Sequence, residues 1–460
     1  MPEDRAVPPL RITVFGAGSI GCRLGGALAA VADVTLVGRP AAMAELDRAG
    51  LTLTGPGDRR LHTRPATATD ASAAAGADYV LVTVKSADTT AAARALAPHL
   101  DPRTTVISFQ NGLHNARLLA DALPAHRVLA GMVPYNVVRT APAAFHQGTQ
   151  GHLMLARIPT PPTSPADRPP AGQNPTSATQ PPAASESPDA AWPPAGQNPA
   201  PATRPPAASE SPDARQPPAG QNPTDRLTDA DQPPAGQNPT PATQPPAASH
   251  FLPTQQPPAG QSPVSPTSPE HAASAEQFAS RFAEAARAAG LPVELRDDMP
   301  QVQAAKLLMN LNNAVNALSG RPLREQLGSR PYRLVLARCQ REGLAALRAA
   351  GLRPARLSPV PAGWMPAVLR LPDALFRRLA AASLRVDAQA RSSMWEDLQR
   401  GRRTEIDSLQ GEILALAERH RLPAPANRRL LELVRAAESS PTPPSWSGPD
   451  LLAALDAQEG

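Results

Sequence analysis

Apolar residues in the first 150 positions fall in short runs separated by helical stretches. Arg11–Phe15 (RITVF) is the first run, followed by Gly16-Ala-Gly-Ser-Ile-Gly21 and an Ala/Leu-rich helix to about Val31. Val34–Val37 (VTLV), Tyr79–Val84 (YVLVTV), Thr105–Phe109 and Val128–Met132 read as further buried strands, with helices such as Thr89–Leu100 between them. Strands alternating with helices predict an α/β fold, a doubly wound parallel sheet with helices on both faces. Beyond position 270 the period lengthens. Helices are predicted over 272–289, 301–318, 331–350, 373–400, 404–420 and 427–438, and Val293–Leu295 is the one convincing strand there. The second domain therefore reads as all-helical.

Between the two patterns the chain repeats. Pro-Pro-Ala-Gly-Gln recurs from Pro169, Pro193, Pro217, Pro233 and Pro257, at steps of 24, 24, 16 and 24 residues. A fixed period is the mark of a solenoid, but these units offer no apolar face to stack. Positions 159–270 hold 32 of the 58 prolines and only three residues from Val, Ile and Leu together. Such a composition predicts a disordered segment with polyproline-like stretches. Gly151–Ile158 looks like a strand and Ala272–Ala289 like the helix that follows it, so the array reads as an insertion in one surface loop. Closure entropy grows only logarithmically with loop length and tolerates this. The expected organisation is a nucleotide-binding domain over 10–158, the insertion over 159–270, completion of the first domain over 271–299, and a helical domain over 300–440.

The prolines being local, the rest of the 460-residue chain has an ordinary apolar content. Its two cysteines, Cys22 and Cys339, show neither CxxC nor Cys/His spacing. A disulfide framework and a metal site are not expected, and a reducing compartment fits. The Met-Pro-Glu-Asp-Arg start lacks a signal-peptide layout, and no apolar run reaches the roughly 18–20 residues of a membrane span. A cytoplasmic protein without a membrane partner is expected. The net charge of +5 divides unevenly, since the insertion carries 4 Arg against 9 Asp+Glu. The basic body does not cluster its arginines with aromatics, so nucleic acid is not the expected partner.

Candidate chemistry begins at Gly16-x-Gly18-x-x-Gly21. Between a strand and a helix, the first glycine permits the tight turn and the second a close approach to a pyrophosphate. The third lets helix and strand pack, and the helix N-terminus faces the negative charge. A glycine-rich turn without a ligand is the competing reading. The second strand ends in Gly38-Arg39, where an NAD site usually has a carboxylate for the ribose hydroxyls. A guanidinium there suits a 2′-phosphate, which favours NADP(H) over NAD(H). One more surface arginine in an arginine-rich chain is the alternative.

Lysine is the sharper signal. Of 45 Lys+Arg only Lys85 and Lys306 are lysine, and an ammonium can lose its proton when desolvated whereas guanidinium effectively cannot. Lys85 ends the YVLVTV strand, at the carboxyl edge where parallel sheets bind ligands. Lys306 opens a helix containing Asn310, Asn312, Asn313 and Asn316. At about 100° per residue, Asn310 and Asn313 fall within about 40° of Lys306. An amine and two amides on one face suit a polar oxygenated substrate, although a buried polar network would look alike. Gln110-Asn111-Gly112 follows another strand, as a turn or as a side chain at the sheet's edge. Ser392-Ser393-Met394 precedes Glu405, which by itself reads as an ordinary helix charge.

These clusters, in this order, resemble the ketopantoate reductases over about 11–158 and 271–438. The carrying residues are Arg11–Gly21, Val84-Lys85, Gln110-Asn111-Gly112, Lys306-x-x-x-Asn310, Ser392-Ser393-Met394 and Thr404-Glu405-Ile-Asp407. The resemblance implies a Rossmann domain, a helical C-terminal domain and a cleft between them. It also implies NADPH-dependent reduction of 2-dehydropantoate to (R)-pantoate, on the way to pantothenate and coenzyme A. Lys306 matches the family's general acid, and Glu405 the carboxylate that orients bound ligands. Asn111, Asn310, Asn313 and Ser393 match substrate contacts. Gly16, Ala17, Gly18, Ser19, Ile20, Gly21, Arg39, Lys85, Asn111, Val137 and Glu405 match cofactor positions. Two features depart from the pattern. The family often has an asparagine eight residues after the lysine, where this chain has Ala314 with Asn313 and Asn316 on either side, and the insertion is foreign to it.

The partner implied is a small-molecule 2-oxo acid, and helical second domains of this kind often pair into homodimers. Two other readings remain at this stage. One is a different NADP-dependent reductase, such as a β-hydroxyacid dehydrogenase, although Gln301–Ala305 lacks the glycine-rich lead-in of that family. The other is a non-catalytic NADP-binding protein whose proline-rich arm recruits partners.

Overall fold

The computed structural model describes residues 9–55, 59–157, 269–379, 390–443 and 445–457. The repeats, and the expectation that they are disordered, lie outside the described residues. Twelve strands are described: β1 (Arg11–Phe15), β2 (Asp33–Val37), β3 (Leu51–Thr54), β4 (Arg60–Thr63), β5 (Ala66–Ala68), β6 (Tyr79–Val82), β7 (Thr105–Ser108), β8 (Arg127–Met132), β9 (Val137–Ala141), β10 (Ala144–Gln147), β11 (Leu153–Arg157) and β12 (Val293–Leu295). Eight form one sheet in the order β12-β11-β8-β7-β6-β1-β2-β5.

From β8 to β5 every pairing is parallel. The expected parallel sheet is thus mixed at one edge, because β11 runs antiparallel to β8 and β12 follows β11 in parallel. Every residue of β6 and β7 is buried, as continuous apolar strands must be when helices cover both faces. One core lies under the helix Ser19–Leu28 and the helix Pro269–Ala288, around Ile12, Leu81, Ile107 and Phe282. Another, around Val80, Val82, Val106 and Leu119, fills the opposite face.

In sequence, residues 158–268 fall between β11 and the helix Pro269–Ala288, which leads into β12, the strand hydrogen-bonded to β11. The insertion therefore interrupts one αβ unit of the sheet-bearing half. A second sheet, β4-β3-β10-β9, was not anticipated from the sequence. Its strands are four or five residues long, and β3 and β10 bury only every second residue. Runs that short have no periodic signal of their own. The sheet packs on the glycine-rich helix Ser19–Leu28, where a Cβ on Gly26 would come within 2.5 Å of Leu51.

The C-terminal half contains no strand among its described residues beyond β12. Its core joins Leu307, Val315, Leu336, Ile413, Leu430 and Val434. The expected helix over 301–318 is two helices, Met299–Asn310 and Asn312–Ser319, interrupted at Leu311. The expected helix over 373–400 also divides. Asp373–Leu379 is helical, 380–389 is not described, and a new helix starts at Ser393 with Ser392 as its cap. The Ser392 hydroxyl accepts from the Trp395 amide at 3.2 Å, an N-cap bond that ends any continuous helix there. A small apolar seam of Ala116, Met132, Met299 and Val302 ties the sheet edge to the first helix of this half. Among the described residues no helix is long and apolar enough to cross a membrane.

Candidate active site

The carboxyl ends of β1, β2, β6 and β7 open onto a cleft of about 1080 Å³ whose far wall belongs to the helical half. This is where ligands of doubly wound sheets bind, and its volume is at the upper end of small-molecule sites.

The turn Gly16–Gly21 forms its floor. Gly16 has φ +116°, and a Cβ there would sit 2.6 Å from the Val84 amide nitrogen. A Cβ on Gly21 would collide with the Gly16 carbonyl and the Thr83 hydroxyl. Gly18 differs: a Cβ there meets nothing within 4 Å. It is the N-cap of the helix Ser19–Leu28 and supplies no side-chain cap. The first-turn amides of that helix therefore face the cleft unblocked, a ready anion site. Arg39 stands just beyond β2 as the N-cap residue of the helix Pro40–Ala49, with its exposed guanidinium on the cleft wall. A dinucleotide with a charged pyrophosphate and a further phosphate fits these features.

Opposite the glycine turn, the helix Met299–Asn310 presents Gln303, Lys306 and Asn310, and the next helix adds Asn313. The Lys306 ammonium makes one hydrogen bond, to the Pro134 carbonyl at 3.4 Å. Desolvation pulls its pKa from 10.5 to about 8, since an ammonium with a single distant acceptor is poorly stabilised away from water. Asn310 is buried and donates to Asn111 Oδ1 at 3.1 Å, and Asn111 Nδ2 donates to Glu405 Oε2 at 3.2 Å. The Ser86 hydroxyl lies 3.3 Å from Glu405 Oε1 and 2.9 Å from the Asn111 carbonyl, and it accepts from Asn115 at 2.9 Å. Asn115 also donates to the Asn111 carbonyl. The loop after β7 is thereby locked to the loop after β6. An acid is thus poised beside a fixed chain of amides ending in a carboxylate.

The two asparagines that flank Ala314 have different surroundings. Asn313 lines the cleft, and its carbonyl accepts from Ser392 at 3.2 Å. Asn316 is fully buried, donating to the Arg321 carbonyl at 2.9 Å and accepting from the Ser392 amide at 2.8 Å. Asn312 faces away and exchanges two bonds with Gln326. Asn316 thus braces the turn that presents Ser393 to the cleft.

Lys85 also lines the cleft, but its ammonium is engaged by protein groups. It pairs with Asp397 at 2.6 Å and donates to the Arg403 carbonyl at 2.6 Å, clasping the loop after β6 to the loop before Glu405. Burial raises the Asp397 carboxyl, and Lys85 opposes that shift. Val137 is buried at the start of β9 and borders the same cleft. Of the residues singled out from the sequence for cofactor, substrate or proton transfer, all but Gly21 line this one cavity, and Gly21 is buried against the Gly16 carbonyl and the Thr83 hydroxyl. Sequence reasoning missed Ser86, Asn115, Pro134, Gln303, Asp397 and Arg402. Pro134 acts through its carbonyl, which no sequence pattern reports. Asp397 follows Ser393 by four residues and so shares its helix face, a signal that was available.

Two family models match the chain. The one described as "Ketopantoate reductase PanE/ApbA" covers residues 12–160, and the one described as "Ketopantoate reductase PanE/ApbA C terminal" covers 298–438. Together they span more than half of the chain. The chain belongs to the ketopantoate reductase family. Among ketopantoate reductase relatives, a 2-dehydropantoate 2-reductase of Halobacterium salinarum is 39% identical over 150 residues, 32% of this chain and 49% of the relative. Another, from Pyrococcus horikoshii, is 29% identical over 151 residues, 33% of this chain and 48% of the relative. The chain thus spans about half the length of these curated relatives. Among solved structures, a ketopantoate reductase from Ralstonia eutropha JMP134 superposes with a TM-score of 0.58 at 23% identity, covering 93% of this chain and 98% of that one. D-mandelate dehydrogenase with NADH and anilino(oxo)acetate gives 0.59 at 14% identity, with the same coverages. These two likenesses establish the shared fold.

Proposed function

We propose that the protein reduces the keto group of 2-dehydropantoate to give pantoate, using NADPH, as its family and relatives do. The observation that carries this reading is the Lys306 ammonium, partly desolvated on the wall opposite the glycine turn, which it shares with the Asn310–Asn111–Glu405 chain. Bound at the Gly16–Gly21 turn, NADPH would supply the hydride to the substrate's carbonyl carbon.

The chain's own residues do the rest. With a pKa of about 8, Lys306 is mostly protonated at pH 7 and donates its proton to the keto oxygen as negative charge builds there. Its position is held by the Pro134 carbonyl. Asn310, Asn313 and Ser393 offer amide and hydroxyl donors to the substrate's carboxylate. Glu405 fixes Asn111 through its second oxygen, so that the amide keeps one orientation. Val137 lends the cleft a buried apolar wall.

The test is oxidation of NADPH by purified protein with 2-dehydropantoate. Turnover supports the reading, and none with any 2-oxo acid sinks it. A panel of branched and aryl 2-oxo acids separates this substrate from the D-mandelate dehydrogenase alternative, whose known structure carries an aryl 2-oxo acid analogue. The expected ligand partner is this small acid. Homodimerisation belongs to the same reading and is checked by light scattering.

A further inference from the structure

Four arginines line the cleft. Arg39 comes from the sheet-bearing half, and Arg400, Arg402 and Arg403 come from the loop that precedes Glu405. Such a concentration is electrostatically costly unless counter-charges meet it. Arg400 has one in Glu396 at 3.5 Å, and Arg139, behind the cluster, has one in Glu45. Among the described residues the guanidiniums of Arg39 and Arg402 have no hydrogen-bond or carboxylate partner. Asp397, whose charge acts on Arg402, is already committed to Lys85. Arg402 is half-buried, its pKa is lowered by burial, and Arg39 and Arg400 push it the same way. Two guanidiniums from opposite walls therefore line one cleft, within electrostatic range of each other and without a carboxylate partner among the described residues.

The anion that would complete the pair is not the pyrophosphate, because the unblocked amides at Gly18–Ile20 already provide for it. Arg39 stands at the end of β2, where the adenosine ribose of a dinucleotide lies and where an arginine accommodates a 2′-phosphate. We infer that Arg402 is the second half of the 2′-phosphate receptor, supplied by the helical half and opposed to Arg39. This rests on the NADPH reading above. Paired guanidiniums can hold a phosphate through several charge-assisted hydrogen bonds, which a single surface arginine cannot. The Lys85 clasp onto Asp397 and the Arg403 carbonyl fixes the backbone on either side of Arg402. The loop is thus held in place before the phosphate arrives. Binding of that phosphate joins the two walls of the cleft and relieves their mutual repulsion.

The experiment measures equilibrium binding, by calorimetry, of adenosine 2′,5′-bisphosphate and of adenosine 5′-monophosphate to the full-length protein. Wild type should prefer the bisphosphate. Arg402→Gln should weaken the bisphosphate about ten- to a hundredfold while changing the monophosphate less than about twofold, the range of a lost charged hydrogen-bond pair. Arg402→Lys should recover part of the loss, which also shows that the site is folded. Arg39→Gln should give the same selective loss, and the double variant should lose less than the two singles combined. An Arg402→Gln protein that keeps the bisphosphate preference, or that loses both ligands equally, overturns the inference. If wild type shows no preference for the bisphosphate, the NADPH reading itself fails, which is a separate result.

Discussion

Replacing Lys306 by methionine should abolish reduction and yet stabilise the unliganded protein. The ammonium sits in a site that lowers its pKa from 10.5 to about 8 through desolvation alone. That difference corresponds to at most about 3 kcal/mol held against the charged form in the folded state. Local relaxation around a side chain that keeps some exposure reduces the net gain to about 1–3 kcal/mol. Methionine keeps the aliphatic length and removes the charge. The expected rise in melting temperature is about 2–6 °C. The sign of its pH dependence follows from proton counts. Between about pH 8 and 10.5 the unfolded lysine still holds its proton while the folded one has released it, so wild-type stability rises with pH in that window. The gap between variant and wild type is therefore widest below pH 8 and closes towards pH 10.5. The assay is a pair of thermal melts near pH 7 and near pH 9.5, with activity measured alongside. kcat should fall about 10²–10⁴-fold, the usual contribution of a positioned acid. Wild-type kcat/KM for reduction should be flat below about pH 8 and fall above it. A methionine variant that melts below wild type near pH 7, with a gap that does not change by pH 9.5, would refute the desolvation argument.

Four further outcomes are expected. Glu405→Gln leaves an amide facing the Asn111 and Ser86 donors at 3.2 and 3.3 Å, so kcat/KM should drop about ten- to a hundredfold with an unchanged melting temperature; an equal loss of stability would mean the carboxylate is only structural. Gly16→Ala meets both the +116° backbone and the Val84 amide and should cost at least about 2 kcal/mol of stability. Gly18→Ala should fold normally and instead weaken cofactor binding, which a melt and a titration distinguish. Replacing residues 159–268 by a short Gly/Ser linker should leave kcat/KM within about twofold, because the insertion interrupts a surface αβ connection rather than the cleft. Lost activity would give the repeats a role in the enzyme.

The parts of the fold legible in the sequence are those with local causes. Long apolar runs such as YVLVTV announce strands buried on both faces, and the glycine spacing announces the turn that only glycine permits. The asparagine-rich helix was legible too, since its 100° step places Asn310 and Asn313 beside Lys306. The second sheet was not, because four-residue half-buried strands are stabilised by pairing with distant partners rather than by their own pattern. The break at Leu311 and the cap at Ser392 were hidden for a similar reason. A helix-compatible composition runs through both, whereas the bonds found there are tertiary: Gln410 donates to the Leu311 carbonyl at 3.0 Å, and Ser392 bonds Asn316 and Asn313.

The same division holds for the two lysines. Their rarity among 43 arginines marked them as positions where a cation alone does not suffice. The residue pattern placed one at a strand's end and one on a helix face, and the family resemblance matched Lys306 to a general acid and Lys85 to a cofactor position. Only the tertiary structure supplies the surroundings of each. It gives Lys306 a single carbonyl at 3.4 Å and little water, which is what lowers its pKa to about 8. It gives Lys85 a carboxylate and a carbonyl at 2.6 Å each, which hold the two walls of the cleft together. Residue type is local information, whereas desolvation and counter-charge depend on which distant segments fold against it.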